Sequence, residues 1–287
     1  MKKKIFYLMI VLVYIASCFG CSKASKDSPA KGEPIIVTDK VGAGCTFYRE
    51  TTNEKLGEGS KFPTIQNKDE YITNDYTYTY YENLDGYSGW SAEVNDNSKS
   101  SYGKIITSIA GIDVIHCEFD DCKYMVTSPV LPETLKTMRS TFGGCESLKT
   151  SPKIPAGVTN MVETFFGCES LTTAPEIPSG VKDMSETFAW CENLVTAPEI
   201  PLSVTDMGAT FIGCEKLTTA PTIPENVTNL EKTFESCTSL TGTITINASN
   251  IESYRMCFRW VKFSSQKLYL TGTSPMLEEL KSTQGNQ

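Results

Sequence analysis

The sequence predicts an α/β solenoid of about seven 23-residue coils, preceded by a small β-rich N-terminal module. Three observations carry this. Phe119, Phe142, Phe165, Phe188, Phe211 and Phe234 fall 23 residues apart. Cys122, Cys145, Cys168, Cys191, Cys214 and Cys237 keep the same spacing, as do Met125, Leu148, Leu171, Leu194, Leu217 and Leu240. Self-similarity at a fixed period of this size marks a stack of coils, which presents a long regular surface and is not organised around a buried catalytic pocket.

At the N-terminus, Lys2 to Lys4 form a basic region and Ile5 to Ile15 an apolar one. The apolar run is too short to span a bilayer, which takes about 20 residues. Ile15-Ala16-Ser17-Cys18 follows and resembles a bacterial lipobox. The resemblance implies a signal peptide over 1–17, with Cys18 lipidated as the mature N-terminus and the protein anchored to a membrane. Cys21 is the alternative lipidation site, and a non-lipidated signal peptide with an incidental cysteine is the plain alternative. Residues 18–34 are rich in Ser, Lys, Gly and Pro and read as a flexible tether. Fully extended, it would reach at most about 50 Å.

Residues 35–108 read as the β-rich module. Tyr76, Tyr78 and Tyr80 alternate with Thr77 and Thr79, Trp90, Ala92 and Val94 alternate likewise, and Asp85-Gly86 supplies turn chemistry between them. Ile105, Ile106 and Ile109 offer a short element over the first coil. The module is expected to cap the solenoid. A functional alternative makes Tyr76, Tyr78, Tyr80, Tyr81, Tyr87 and Trp90 an aromatic platform for polysaccharide or a protein partner.

The solenoid is assigned to 109–263, with units starting at Ile112, Leu135, Val158, Val181, Val204, Val227 and Ile251. In the unit from Val158 the apolar positions are Val158, Met161, Phe165, Cys168, Leu171 and Ile177. Spacings of three and four predict a helical or 3₁₀ turn up to the cysteine. Thr-Thr-Ala-Pro-Glu-Ile-Pro must then be extended, because proline restricts itself and the residue before it. No single coil can bury these side chains, and stacking at about 4.8 Å closes the core. The last unit starts one residue late and carries Val261 in the cysteine position. A C-terminal cap is expected over 264–287, with Leu268 and Leu270 in a strand and Ser274-Pro275 opening a short helix through Leu280.

The pattern Val-x-x-Met-x-x-x-Phe-x-x-Cys-x-x-Leu, followed by Pro and Ile-Pro, resembles the BspA-like leucine-rich repeats of bacterial surface proteins. In that family's commoner form an apolar residue follows the Leu by three; here Ala174, Ala197 and Ala220 stand there, each before a proline, which puts the regularity of the extended edge in question. The resemblance implies a leucine-rich-repeat solenoid in a surface lipoprotein with an adhesive or host-interaction role and no enzymatic activity.

Composition fits binding better than chemistry. The formal charge is −8, and loss of residues 1–17 would make it more negative still, which disfavours nucleic acid. His116 is the single histidine. His116, Cys117 and Cys122 give only three local metal ligands, and Asp120-Asp121 lacks the rest of a calcium loop. No nucleophile elbow or phosphate loop appears. No catalytic residue, cofactor or metal is expected. In the ladder, in-register stacking places neighbouring Cβ atoms about 4.8 Å apart, outside the usual disulfide range. Cys45, Cys117 and Cys257 lie off the ladder and their pairing stays open.

Binding is sought where the units differ. Phe166, Trp190 and Ile212 place bulky apolar groups on neighbouring coils just after the phenylalanine, a candidate partner patch; packing locally over the turn, or against another copy of the protein, is the alternative. Thr172, Thr173, Glu176, Thr196, Glu199, Thr218 and Thr219 line the extended edge. The sequence thus predicts a lipid-anchored protein of the bacterial cell envelope, on the outer surface. It would bind host or neighbouring-cell proteins by adhesion, with polysaccharide binding or a structural envelope role as alternatives.

Overall fold

The computed structural model describes residues 46–49, 54–58, 69–72, 75–99, 105, 107–109, 112–261, 269–276 and 278–279. All of them belong to one unit, Ile35–Gln287. The expected signal peptide and tether, with Cys18 and Cys21, lie outside the described residues, as do Cys45, Ile106, Leu268 and Leu280.

Seven strands form the first sheet: β1 (Thr46–Arg49), β2 (Glu54–Glu58), β3 (Asp69–Ile72), β4 (Tyr76–Leu84), β5 (Tyr87–Val94), β6 (Ser108–Ile109) and β7 (Ile112–Glu118). Their order is β2-β1-β3-β4-β5-β7-β6. All neighbours are antiparallel except β5 and β7. The β4–β5 hairpin turns through Asp85 (φ 53°) and Gly86 (φ 87°), the two positive angles that a two-residue hairpin loop asks for.

Period two sorts the hairpin side chains. Tyr76, Tyr78, Trp90 and Ala92 are fully buried, and the Tyr76 ring meets Phe119 edge-on at 6.2 Å. The alternative of an exposed aromatic platform therefore does not form: Trp90, Tyr76 and Tyr78 face inward into the core shared with the first coil, leaving Tyr80 and Tyr87 half-buried and Tyr81 exposed. The cause is the unsatisfied end of the stack, which draws the most apolar face of the hairpin onto itself. One continuous core runs from Tyr76 to Leu270. Strand β7 belongs to the sheet and also occupies the place of the first unit's leading segment, so sheet and solenoid share a strand.

From Leu135 onward the leading segment is built of turns rather than helix. In the unit from Val181, the N–H groups of Met184, Glu186, Phe188 and Trp190 donate to the carbonyls of Asp206, Gly208, Thr210 and Ile212 in the next coil. The intervening Thr187, Ala189 and Cys191 donate three residues back. The spacing of three and four is thus real, but every second peptide points along the stack. The expected helical contribution is confined, among the described residues, to Glu278 and Glu279.

Inside, equivalent side chains lie one above another. The rings of Phe119, Phe142, Phe165, Phe188, Phe211, Phe234 and Phe258 stack with centroids 5.3–5.7 Å apart and planes within 10° of parallel. A buried threonine column runs beside them. The Thr187 hydroxyl points between the carbonyls of Met161 (2.7 Å) and Met184 (2.8 Å), that of Thr164 does the same with Met138 and Met161, and those of Thr210 and Thr233 donate to Met184 and Met207 of the preceding coil. Thr141, at the sheet end, is buried without a partner for its hydroxyl.

Among the described residues the cysteines are free thiols, and those of the ladder also hydrogen-bond along the stack. Each S–H from Cys145 to Cys237 donates to the phenylalanine carbonyl of the preceding coil, as in Cys191 to Phe165 at 3.1 Å. Cys117 and Cys257 are free and buried as well. Val261 takes the cysteine place in the last coil, its N–H bonded to Phe258 as that of Cys237 is to Phe234.

The extended edge is weakly paired where it carries proline. Thr173, Thr196 and Thr219 form single bridges from coil to coil, and no strand forms among Ala174–Pro178 or Ala197–Pro201. Proline deletes the donors a ladder needs. Where the sequence changes to Thr-Gly-Thr-Ile-Thr-Ile-Asn, without proline, strand β8 (Thr243–Thr245) appears and pairs in parallel with β9 (Tyr269–Thr271). Ser274 then accepts the Met276 N–H on its hydroxyl at 3.2 Å, the N-cap contact expected of it.

Candidate binding face on the turn edge

Each coil from Leu135 onward passes twice through the left-handed region, and the first coil once, at Asp121. One such column is Ser140, Glu163, Glu186, Ala209 and Lys232, with φ of 50–56°. Four residues on lies the second: Asp121, Gly144, Gly167, Trp190, Gly213, Ser236 and, one residue displaced, Trp260. Left-handed backbone lets alternate N–H groups aim at the next coil, and it is least costly for glycine. Three units use glycine in the second column; Trp190 and Trp260 accept the strain.

Asx turns hold the start of this edge. Asn160, Asp183, Asp206 and Asn229 each accept the N–H two residues on, at 2.8–2.9 Å. The hairpin tip docks beside them: Thr137 donates to Asp85 at 2.6 Å, and the Tyr87 hydroxyl lies 3.2 Å from that of Thr159.

Phe166, Trp190 and Ile212 sit on successive coils of this edge, and all three are half-buried. Ala189, between Phe166 and Ile212 in their column, is buried. The Trp190 indole lies over Gly213: a Cβ built there would stand 2.2 Å from Trp190 Cε3. Gly213 is thus required twice, for its φ of 73° and for the room it leaves. Packing over the turn, the plain alternative for Trp190, accounts for one side of its ring.

Carboxylates flank the three. On one side are Glu163 and Glu186, half-buried; on the other, Glu146, Glu169, Glu192 and Glu215, exposed. Burial and the neighbouring Glu163 carboxylate push the Glu186 carboxyl up. At the sheet end, the protein packed around Asp120 and the charges of Asp121, Glu118 and Glu163 push its carboxyl up to about 7, although its side chain still reaches solvent. At the far end Glu235 faces Arg259 at 3.7 Å, and the Arg259 guanidinium lies over the exposed Trp260 ring at 3.9 Å.

The remaining sequence candidates resolve locally. His116 is buried, and since a carbonyl only accepts, its Nε2–H donates to Arg139 (2.9 Å) while Nδ1 accepts from Ser91 (2.8 Å). Burial lowers its pKa and keeps the ring neutral. Burial pushes the thiols of Cys117 and Cys168 well up. Among the described residues no group of three or more His, Cys, Asp or Glu is placed to hold a metal ion. Thr172, Thr173, Glu176, Thr196, Glu199, Thr218 and Thr219 are all exposed. Beside them Ala174–Ile177 and Pro198–Pro201 line an open groove of about 370 Å³.

Sequence reasoning found the apolar trio but missed the strained backbone of Trp190, the Gly213 cradle and the flanking carboxylate columns. The signal was present: glycine at 144, 167 and 213 in the column of Trp190 marks a left-handed position.

A family profile described as BspA type leucine-rich repeat region matches residues 114–241 and 208–272 in six copies, together more than half of the chain. Among solved structures, the leucine-rich repeat protein of T. pallidum aligns over 76% of this chain and 97% of its own, with 19% identity and a TM-score of 0.51, a likeness of fold alone. A leucine-rich repeat protein from Bacteroides ovatus aligns over 71% of this chain and 57% of its own at 22% identity, with a TM-score of 0.41, too low to bear on the fold. No curated protein sequence matches. With its stacked Phe, Cys and Leu columns and this match over more than half its length, the chain belongs to the BspA-type leucine-rich repeat family.

Proposed function

We propose that this chain is an exported, lipid-anchored protein of the bacterial cell envelope that binds host or neighbouring-cell proteins through the turn edge of its solenoid. In this reading the solenoid has about seven coils, the β-rich N-terminal segment caps it, and Cys18 (alternatively Cys21) carries the lipid. The work is adhesion by shape and charge over an extended rigid face, with no covalent chemistry.

The observation that carries it is the placement of Phe166, Trp190 and Ile212 on successive coils, half-buried, with Trp190 in a backbone conformation that other coils assign to glycine. A bulky residue held against its conformational preference is a motive for a functional assignment. Polysaccharide binding through the tyrosine-rich hairpin is set aside, because Trp90, Tyr76 and Tyr78 are buried.

Protease treatment of intact cells, followed by detection of the solenoid with an antibody, tests the placement. Loss of the signal while periplasmic controls survive is the expected outcome. A protected solenoid would remove the adhesive reading.

A further inference from the structure

The turn edge also says what kind of partner would fit it. Three half-buried apolar side chains, Phe166, Trp190 and Ile212, form its middle. Along one flank Glu163 and Glu186 follow each other on neighbouring coils; along the other, Glu169, Glu192 and Glu215 do the same. Each carboxylate stands two to four residues from the apolar residue of its own coil, so the two rows run beside the patch. The cations nearby lie at the ends of the rows: Lys123 pairs with Glu146 at 3.0 Å, and Lys232, 3.9 Å from Glu231, partly offsets the charge around Glu186, while Lys216 is turned to Asn193 Oδ1 at 2.6 Å.

Two acidic rows bracketing an apolar strip constitute a charge pattern with a definite complement. We propose that this face binds a basic, amphipathic segment of a partner protein: its apolar side chains cover Phe166, Trp190 and Ile212, and its lysines or arginines meet the carboxylates on both flanks. The inference rests on the adhesive reading above and adds the partner's chemistry to it. Opposite charge arranged in rows fixes register and speeds encounter, and a tryptophan at the centre of an apolar patch is the usual anchor of such a contact. A second copy of this chain is the wrong occupant, because two copies meeting on this face would oppose carboxylate rows of the same sign. An anionic lipid surface is excluded on the same ground.

The face carries more negative charge than it holds comfortably. The Glu186 carboxyl is pushed up by burial and by Glu163, and Asp120, at the end of the edge, is pushed up to about 7. A cationic partner relieves that repulsion, which a neutral one would leave in place.

The test uses the full chain in detergent and three synthetic peptides of equal length, alternating Leu with Lys, Leu with Glu, and Ser with Lys. Affinity is read by anisotropy at low and physiological salt. Trp190→Gly places in this column the residue that Gly144, Gly167 and Gly213 already hold, so the variant is expected to keep the wild-type unfolding midpoint. The Leu/Lys peptide should bind best, lose about tenfold in affinity with Trp190→Gly, and lose both affinity and salt dependence with Glu169→Gln plus Glu192→Gln. If the Leu/Glu peptide binds as well and Trp190→Gly abolishes it, the docking face stands and the basic partner is wrong. If Leu/Lys binding ignores Trp190→Gly, or the Ser/Lys peptide binds equally, bulk charge explains it and both readings of this face fail. Absence of binding by any peptide, or Trp190-dependent self-association in sedimentation, likewise overturns the inference.

Discussion

On the turn edge of the unit from Val181, four N–H groups reach the next coil, from Met184, Glu186, Phe188 and Trp190. On the extended edge of the same unit, between Thr196 and Pro201, the Ala197 N–H alone does so, at 3.4 Å to Thr219. The turn edge therefore holds the register of the stack, and the proline edge is carried along by it. The difference comes from composition. Left-handed residues aim alternate donors along the axis of the turn edge, whereas two prolines per unit remove donors from the other.

The comparison can be broken at its core first. Phe188→Ala opens the middle of the aromatic stack that the turn edge supports, and should cost about 3–5 kcal/mol in denaturant unfolding. A loss below about 1 kcal/mol would mean that neighbouring coils collapse into the gap and that the register is held elsewhere.

Next comes the threonine column behind that edge. Thr187→Val strips hydrogen bonds from the Met161 and Met184 carbonyls and should cost about 1–3 kcal/mol. The same change at Thr141, whose buried hydroxyl has no partner, should be neutral or slightly stabilising. Equal costs at the two sites would show that the hydroxyls contribute by volume alone.

On the proline edge, Pro198→Ala should cost no more than about 1 kcal/mol, mostly through the freer unfolded chain. A cost matching that of Thr187→Val would refute the division of labour between the edges.

The smallest effect is expected at Asp120, whose solvent contact allows screening. Its folded pKa, about 7, lies above the unfolded value of about 3.9. The proton bound in the fold thus favours folding below about pH 4, and that contribution is lost as pH rises through 7. Asp120→Asn should therefore raise the unfolding midpoint relative to wild type at pH 8 and leave it unchanged at pH 4. A gain that persists at pH 4 would assign it to something other than charge.

Much of this was legible in the sequence because stacking turns a linear period into a spatial column. Phe188 and Leu194 could be placed in the core from their recurrence alone, and the Ser274 cap from local chemistry. Three features were not legible. The helical reading of Met184 to Cys191 failed because a spacing of three and four is shared by helix and by a run of turns; only the sign of φ at Glu186 and Trp190 separates them. The hairpin tyrosines were divided between a cap and an exposed platform because period two says which residues share a face and not what that face meets. Strand β7 was read as an ordinary first unit, since its seven residues carry the solenoid's spacing while pairing with β5. For the candidate site, the variable residues Phe166, Trp190 and Ile212 could be picked out. The carboxylate rows beside them could not, because each glutamate looks ordinary until neighbouring coils are laid side by side.

The proline-free stretch from Gly242 to Asn247 gives the chain its punctuation. Pro-Glu-Ile-Pro at the edge of a coil refuses a neighbouring strand, whereas Thr-Ile-Thr-Ile accepts one, and the chain places the accepting phrase once, where β9 closes the edge. The extended edge thus changes its grammar at the last two coils while the core columns stay alike from coil to coil, so the final pair is joined by a ladder that the proline-bearing coils before it lack.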